Sequence, residues 1–438
     1  SPSTSSALCP VFDGNPWTRP QTILHQTQSL SLYVDGKHIP NESSVVSRAV
    51  QDHYSLLKEI SCYGNFLYNT GEGMKTAELS VEDVRRSILQ AREKTNSATR
   101  NLSAVVATAQ NDNGDKEDEL VKLLVPFYLF LLENWNGISI TAMQLSLVVS
   151  PNDNDAISSM VTDEEYKCEG DFEGPHCKIS TGMATILKPL IDKVDRQNIR
   201  LNEQVISIVD RQTHVQVVSA SGTIVEAKCC VSTIPLGCLQ ASADSLFHPK
   251  LSLEKMDAID SIWTGSYKKV FLTFQKVFWP TKPPLIGLVR GKVNPSSKSI
   301  PGHYLLVNNL WAKSGVASLE AILCGDLGVW AFKKSDETIQ HAVIEFLESA
   351  MGLSNVIDLL VSGQVSRWEE DEFSRGTYST YRLGTMDQHV DALRAAEWDG
   401  RLVFAGEPTE SEHMGSVHAA LLSGKRAANE VLDFLSNV

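Results

Sequence analysis

The chain has 438 residues, of which 42% are hydrophobic and 21% charged, and its formal net charge is −14. This composition is typical of a globular protein with a large core, and it excludes a disordered or fibrous chain. The acidic balance argues against a nucleic-acid-binding protein, which needs a basic face, and is compatible with cationic substrates. No apolar run reaches the roughly 18 residues of a membrane span, so none is predicted.

The cysteines and the N-terminal sequence bear on the compartment. None of the eight cysteines forms a C-x-x-C motif or lies at zinc-ligand spacing from a histidine, so no metal site is predicted. The sequence starts without the basic and apolar regions of a signal peptide. We therefore expect an intracellular, cytoplasmic protein with reduced thiols. Secretion is the alternative, in which Cys168 could pair with Cys177 and the sequons at Asn41 and Asn101 would matter.

The first part of the chain is predicted to be largely helical. A Ser/Pro-rich loop over residues 1–20 precedes two segments, 45–62 and 81–92, whose apolar positions recur at helical spacing. Residues 110–119 are polar and acidic, which predicts a surface loop or linker. Residues 120–135 are predicted to form a buried helix.

From residue 201 onward the pattern changes to β-structure. Alternating β-branched residues over 201–231 predict a meander of three or four strands. Because strands and helices are interleaved, the predicted class is α/β, or mixed α+β. Further strands are predicted at 268–274, 304–309 and 316–324, and further helices at 253–261 and 335–351.

The most informative stretch lies near the C-terminus. The apolar run 402–405 predicts a buried strand, and Gly406 and Glu407 follow it at once. After a polar loop, Ser416 and Val417 lead into a helix of small and apolar residues. Backbone N–H groups at a helix start can bind an anion, and an acid after the strand can bind a sugar hydroxyl. The residues alone leave two interpretations open: a nucleotide-binding βα unit and plain structural packing.

The same stretch resembles the C-terminal FAD-binding motif of the flavin-containing amine oxidases. The elements FAGE-x-T, V-H-x-A and LLSG-x-R-x-A all occur between residues 404 and 428. The family includes polyamine oxidases, monoamine oxidases and lysine-specific histone demethylases, and the resemblance is to the polyamine oxidase and demethylase branch. Further motifs carry it: L-N-x-x-V-x-x-I at 201–208, V-x-T-x-P-L-G at 231–237, K-[IV]-x-L-x-F followed by F-W at 269–279, and W-x-x-D-x-x-x-R-G-[ST]-[YF]-S at 368–379.

The resemblance implies a role for each matching residue. Lys269 would hold a water against flavin N5, while Tyr378 and Trp368 would shape the substrate cavity. Ser416 is small where some relatives have an aromatic residue, so a second aromatic wall is not expected there. The residues implied to hold FAD are Val205, Pro235, Gly406, Glu407, Ser416 and Val417.

These residues also have structural interpretations. Lys268 and Lys269 can be a solvated pair on a strand, and Trp368 and Tyr378 can belong to an aromatic core cluster. Three acids beyond those of the motif follow Trp368 closely, and they are predicted to form a solvated turn, with a cation-attracting rim as the alternative. The three acids are Glu369, Glu370 and Glu372.

The implied fold is the FAD-linked reductase type with two domains. One is an incomplete Rossmann-like FAD domain, and the other is a substrate domain of antiparallel sheet and helices. The FAD domain would combine 177–238 and 396–438, with 1–20 as a joining loop, and the substrate domain would combine 21–176 and 239–395.

The family's N-terminal G-x-G-x-x-G unit is not found in this sequence. Gly14-Asn15-Pro16 matches the motif that follows this unit in the family. Gly71-Glu72-Gly73 is the nearest glycine pattern, but it lies in a polar stretch and is not expected to bind a cofactor.

The implied activity is oxidation of a secondary amine such as spermine, spermidine or their acetylated forms. Hydride transfer to flavin N5 would give an aldehyde, an amine and, with O₂, hydrogen peroxide. Two alternatives stay open. The chain could be a non-catalytic or FAD-deficient relative, or an oxidase that acts on a histone lysine. The sequence does not indicate an oligomeric state.

Overall fold

The structure is a computed structural model that describes residues 30–41, 43–69, 80–90, 112–143, 182–293, 296, 298–411 and 413–437. The predicted α/β class is confirmed. The helices are α1 (Ser44–Asn69), α2 (81–90), α3 (Asp112–Asn136), α4 (Ala184–Ile191), α5 (Leu236–Leu246), α6 (Leu253–Ser261), α7 (Leu310–Ser314), α8 (Gly325–Ala331), α9 (Asp336–Met351), α10 (Asp387–Arg394) and α11 (Val417–Ser436). The strands are β1 (Leu30–Val34), β2 (Lys37–Ile39), β3 (Val205–Asp210), β4 (Val215–Ser219), β5 (Ile224–Ala227), β6 (Cys230–Ser232), β7 (Phe247–His248), β8 (Trp263–Thr264), β9 (Tyr267–Phe274), β10 (Leu285–Val289), β11 (Tyr304–Asn309), β12 (Ser318–Cys324), β13 (Leu360–Val365), β14 (Ser379–Thr380) and β15 (Leu402–Phe404).

The chain divides into two compact units. The predicted FAD-domain segments 177–238 and 396–438 both lie within the first unit. Unit 1 combines Ser1–Gly14, Glu165–Ile262 and Asp387–Val438, and unit 2 combines Asn15–Glu164 and Trp263–Met386. The motifs at Gly14–Pro16 and Gly71–Gly73, and Cys168 and Cys177, lie outside the described residues.

A seven-stranded sheet organises unit 2, in the order β13-β9-β12-β11-β10-β1-β2. Its neighbours are antiparallel except β1 and β10, which are parallel. Every residue of β12 is buried, as expected for an interior strand that is covered on both faces. Along β9 the burial alternates, so Lys268 shares the buried face with Val270 and Leu272, whereas Lys269 lies on the opposite face.

Helices complete the core of unit 2. Ser335 caps α9 by accepting a hydrogen bond from the Thr338 N–H, and the helix packs its buried apolar side against β1, β9, β10 and β13. Helix α3 packs against α1 and against the sheet, where Phe127 lies so close to Gly287 that an added Cβ would be 2.6 Å from its ring. Glycine is therefore required at that contact.

The predicted loop at 110–119 is wrong, because α3 already begins at Asp112. Residues 116–119 of this helix are polar and exposed, and acids among them form ion pairs. Asp118 lies 2.5 Å from Arg48 of α1, and Glu119 lies 2.7 Å from Lys122 in the next turn. A solvated helix end has the same composition as a loop, so composition alone could not separate them.

Unit 1 contains a four-stranded sheet in the order β5-β4-β3-β7 and a separate parallel pair, β6 and β15. The antiparallel strands β3, β4 and β5 confirm a meander of three strands, whereas β6 belongs to the separate parallel pair. The two sheets are linked at the start of β15, where Arg401 makes a bidentate ion pair of 2.9 and 3.0 Å with Asp210 of β3. Helix α6 packs on α10, and the buried Lys255 donates to the carbonyl of Leu393 at the end of α10.

The C-terminal βα unit has the predicted form. Strand β15 and helix α11 lie where the sequence predicted them, and Ser416 caps the helix by accepting from the Ala419 N–H at 3.0 Å. Two side chains of the LLSG-x-R motif tie the helix to the strand. Ser423 accepts from the Gly406 N–H at 3.0 Å, and Arg426 donates to the Phe404 carbonyl at 2.7 Å. None of the helices in the described ranges is long and apolar enough to cross a membrane.

Candidate functional site

In unit 1, one edge of the parallel pair gathers several predicted cofactor residues. Phe404, the last residue of β15, is paired with Ser232, the last residue of β6. The segments that follow the two strands, with Pro235 after β6 and with Gly406 and Glu407 after β15, therefore start at the same edge. The carboxyl edge of parallel strands is where α/β proteins bind nucleotides.

Glu407 and Ser416 shape the loop that leads into α11. The Glu407 carboxylate accepts a hydrogen bond of 2.6 Å from the Gly415 N–H, which closes the loop. The Ser416 hydroxyl is used as the helix cap. Val417, in the first turn, keeps 44% of its surface exposed. The helix start is thus fixed in position, with an apolar residue left open beside it.

Val205 lies at the start of β3, which belongs to the four-stranded sheet and not to the β6–β15 pair. Its side chain is 37% exposed. Val231 of β6 and Pro235 are exposed as well, although both are apolar. The apolar residues among the predicted cofactor residues, Val205, Pro235 and Val417, are therefore exposed.

A buried hydroxyl at the end of β6 also fits a ligand-binding site in unit 1. The Ser232 Oγ is buried, and no hydrogen-bond partner for it is found among the described residues. Such a group is normally satisfied by a partner or a bound molecule. Together with the exposed apolar side chains, it fits a large ligand that has both apolar and hydrogen-bonding parts.

In unit 2, Lys269 belongs to a polar chain across three neighbouring strands. Its Nζ lies 3.3 Å from the Glu320 carboxylate of β12, which accepts a 3.0 Å hydrogen bond from Asn308 of β11. Glu320 is buried, while the Lys269 side chain is 42% exposed. The ammonium group is thus anchored on one side and open on the other. The sequence signal for Glu320, an acid in an apolar strand, was overlooked.

The main chain of Lys269 is also fixed. Its N–H donates to the Ser366 Oγ, and its carbonyl accepts from the Ser366 N–H, both at 2.9 Å. These bonds join β9 to the segment that follows β13. Because Ser366 precedes Trp368 by two residues, the segment that carries Trp368 is attached at the level of Lys269.

Tyr378 is partly buried and lies against a second tyrosine. Its ring centroid lies 5.8 Å from that of Tyr267, at an interplanar angle of 54°. The Tyr378 carbonyl accepts a 2.8 Å bond from the Gly265 N–H. Burial raises the pKa of the Tyr378 hydroxyl well above its ordinary value, so it stays neutral. Tyr267 shares the face of β9 with Lys269, and the period of two along the strand could have revealed it.

Gly137, just after α3, supports the Tyr378 ring. It has a φ of +64°, and a Cβ added there would lie 2.9 Å from the Tyr378 Oη. We expect Gly137→Ala to lower the free energy of unfolding by about 1–3 kcal/mol, through both backbone strain and this contact.

Gly302 provides the matched control, because it has a φ of +83° and open space around it. Gly302→Ala should carry the backbone cost alone. Urea unfolding of the two variants measures the difference, and equal losses would show that the Tyr378 contact carries no energy.

Trp368 occupies a different environment from Tyr378. Its side chain is 55% exposed, on the turn after β13. The turn is closed by its own backbone, since the Trp368 carbonyl accepts from the Gly376 N–H at 3.2 Å and the Asp371 carbonyl from the Arg375 N–H at 2.9 Å. Whether Trp368 lines a substrate cavity stays a prediction.

The prediction of a solvated turn after Trp368 is wrong for one of its three acids. Glu369 does not belong to a solvated turn, because its carboxylate lies 2.7 Å from the Nζ of Lys268, which is fully buried. Glu370 pairs with Arg367 at 2.6 Å. The prediction that Lys268 belongs to a solvated pair is therefore also wrong.

Two neighbouring acids were missed in the sequence: the partly buried Glu133 and the exposed Asp326. Glu133, near the end of α3, accepts a 2.6 Å bond from the Ile140 N–H, and Ser139 donates at 3.1 Å to Asp326 of α8. Burial is the main cause that raises the pKa of Glu133 to about 7, and the nearby Asp326 adds to it. The fully buried Cys324 lies in their electrostatic field.

Comparisons with known proteins agree with this arrangement. The family described as "Flavin containing amine oxidoreductase" matches residues 102–432. Among curated relatives, polyamine oxidase 4 of Oryza sativa subsp. japonica is 32% identical over 64% of this chain and 53% of its own length. Polyamine oxidase 2 of Arabidopsis thaliana is 32% identical over 64% of this chain and 52% of its own.

A third relative is lysine-specific histone demethylase 1 homolog 2 of Oryza sativa subsp. japonica, which is 29% identical over 62% of this chain and 34% of its own length. The chain thus spans about a third to a half of the length of these relatives. The family match covers well over half of the chain. The chain therefore belongs to the flavin-containing amine oxidoreductases, the family of polyamine oxidases and lysine-specific histone demethylase homologues, whose cofactor is FAD.

Proposed function

We propose that this chain is an FAD-dependent oxidase of a secondary amine, with a polyamine such as spermine, spermidine or an acetylated form as substrate. The observation that carries the proposal is the arrangement on β9, where a half-exposed Lys269 anchored to Glu320 shares one strand face with Tyr267, which in turn contacts Tyr378. The relatives named polyamine oxidases support it. FAD, when bound, accepts the hydride and is reoxidised by O₂ with formation of hydrogen peroxide.

In this proposal the residues of unit 1 bind the cofactor. The carboxyl edge of β6 and β15 and the start of α11 offer backbone N–H groups and a helix N-terminus, which suit an anionic group. The exposed apolar side chains suit its ring systems, and the Ser232 hydroxyl can supply one hydrogen bond. The residues that would hold FAD are Val205, Pro235, Gly406, Glu407, Ser416 and Val417.

The residues of unit 2 act on the amine. The rings of Tyr378 and Tyr267, whose hydroxyls stay neutral, form an apolar wall that excludes water and contacts the substrate's carbon chain. Lys269 holds a water and moves a proton at its Nζ, which the nearby Glu320 carboxylate keeps in place. Trp368 lines the same cavity. The substrate enters as the neutral amine and leaves as an imine that water hydrolyses to aldehyde and amine.

There are two alternatives. One is a non-catalytic or FAD-deficient relative of the family. The match to demethylase homologues favours an oxidase that acts on a methylated lysine side chain. We also propose an intracellular location, in line with Cys229, Cys230, Cys238 and Cys324, which form no disulfide bond within the part of the chain that the structure describes.

The visible spectrum of the purified chain, with and without added FAD, tests the proposal. Flavin bands should be present and should bleach when spermine or N-acetylspermine is added without oxygen. If a methyl-lysine peptide bleaches the flavin bands and polyamines do not, the substrate is a methylated lysine and not a polyamine. A colourless chain that takes up no added FAD would contradict the enzyme and support the FAD-deficient relative.

A further inference from the structure

Lys268 is a charged residue on the core side of a sheet. It lies on β9 between Tyr267 and Lys269, its side chain is 0% exposed, and its strand neighbours on the same face are apolar. A buried ammonium group is costly unless a negative charge compensates it. The compensation comes from Glu369 at 2.7 Å, with Glu370 further away at 3.6 Å.

The two acids belong to the turn that carries Trp368. Two residues that precede them, Arg367 and Ser366, are held by hydrogen bonds. Arg367 donates to the carboxylate of Asp336 and, at 2.7 Å, to the carbonyl of Lys334, both next to the start of α9. Ser366 is bonded to the main chain of Lys269. Residues 366–369 are thus held to β9 and to the α9 start by several polar contacts.

Trp368 itself contributes little to its own placement. More than half of its side chain is exposed, so burial of the indole cannot fix the turn. Its two sequence neighbours, Arg367 and Glu369, are each fixed by an ion pair. The orientation of Trp368 therefore depends on the charges on either side of it.

We propose that Lys268 is a positioning residue for Trp368: its buried ion pair with Glu369 fixes the turn that presents the indole. The adjacent lysines of β9 then have separate tasks, one on each face of the strand. The inference deepens the proposed function, because it adds a residue that positions one wall of the amine cavity. Only its expected effect on amine oxidation rests on the proposed function.

Hydrogen exchange of the amides, measured by mass spectrometry on the purified protein, tests the positioning directly and needs no turnover. In Lys268→Met the peptide covering 366–376 should exchange at least about tenfold faster, because the buried carboxylate has lost its partner. The peptide covering β12 should keep its wild-type rate. Lys268→Arg, which keeps the charge, and the swapped pair Lys268→Glu with Glu369→Lys should restore slow exchange. Lys276→Met, at an exposed lysine just after β9, is the matched control.

Steady-state kinetics give the second readout. Lys268→Met should raise the KM for the amine about fivefold and change kcat less than twofold, since the turn shapes binding and Lys269 is intact. Wild-type exchange in Lys268→Met would overturn the proposal. Fast exchange in a chain whose wild type shows no amine oxidation would uphold the positioning role and reject the proposed function. If Lys268→Met does not fold, Glu369→Gln replaces it, with the same expected exchange rates.

Discussion

Replacing Lys269 by Met is expected to slow turnover of the amine by at least about 100-fold, the range typical of a lost proton-transfer group. Methionine keeps the length and apolar stem of the side chain but removes the ammonium group that we propose holds the water. Rapid-mixing absorbance measurements should follow flavin reduction by the amine and reoxidation by O₂ separately. Lys276→Met, at an exposed position on the same segment, should leave both rates unchanged.

A loss of activity through misfolding can be separated from this effect. Lys269→Met leaves the buried Glu320 carboxylate with Asn308 as its remaining polar partner. Adding Glu320→Gln removes the uncompensated charge, so the double variant should regain stability but not activity. Unchanged reduction and reoxidation rates in a folded Lys269→Met protein would contradict the role of Lys269.

Replacing Glu133 by Gln is expected to stabilise the protein at alkaline pH. Burial raises the pKa of Glu133 from an ordinary 4.5 to about 7. Between these values the folded state binds more protons than the unfolded state, so stability falls as pH rises. This contribution is fully present below pH 4.5 and is lost as pH rises through about 7. The shift corresponds to about 3 kcal/mol. Glutamine stays neutral and can still accept from the Ile140 N–H.

Urea unfolding of the two proteins between pH 4.5 and 8 measures the effect. The variant should gain up to about 3 kcal/mol over wild type at pH 8 and almost nothing at pH 4.5. Glu119→Gln, at an exposed acid of the same helix, should show no such pH dependence. Parallel pH profiles for wild type and Glu133→Gln would show that the carboxyl group is not held in its neutral form.

Several elements whose structure depends on neighbouring residues were predicted correctly from the sequence. The bounds of β11 match the prediction, and α9 and α11 start next to the serines that cap them, because alternation and capping are patterns of neighbouring residues. The C-terminal βα unit was found for the same reason. Membership of the family was also predicted, from motifs that are long and specific.

The remaining features depend on residues that are distant in sequence. The pairs of Lys268 with Glu369 and of Lys269 with Glu320 form only when β9 is placed against β12 and β13. Burial of Glu133 near Asp326 likewise needs α3 and α8 to meet. Composition predicted solvated acids in such cases, because it does not show which charges the fold encloses.

The alternation of β9 also protects the strand against misalignment. A slip of one residue against β12 and β13 would exchange the faces of Lys268 and Lys269. A slip in either direction would leave one of the two acids, Glu369 or Glu320, without its lysine, and would move the apolar Val270 and Leu272 out of the core. Two consecutive lysines with acids on opposite sides of the sheet therefore favour the observed strand register over the registers that are shifted by one residue.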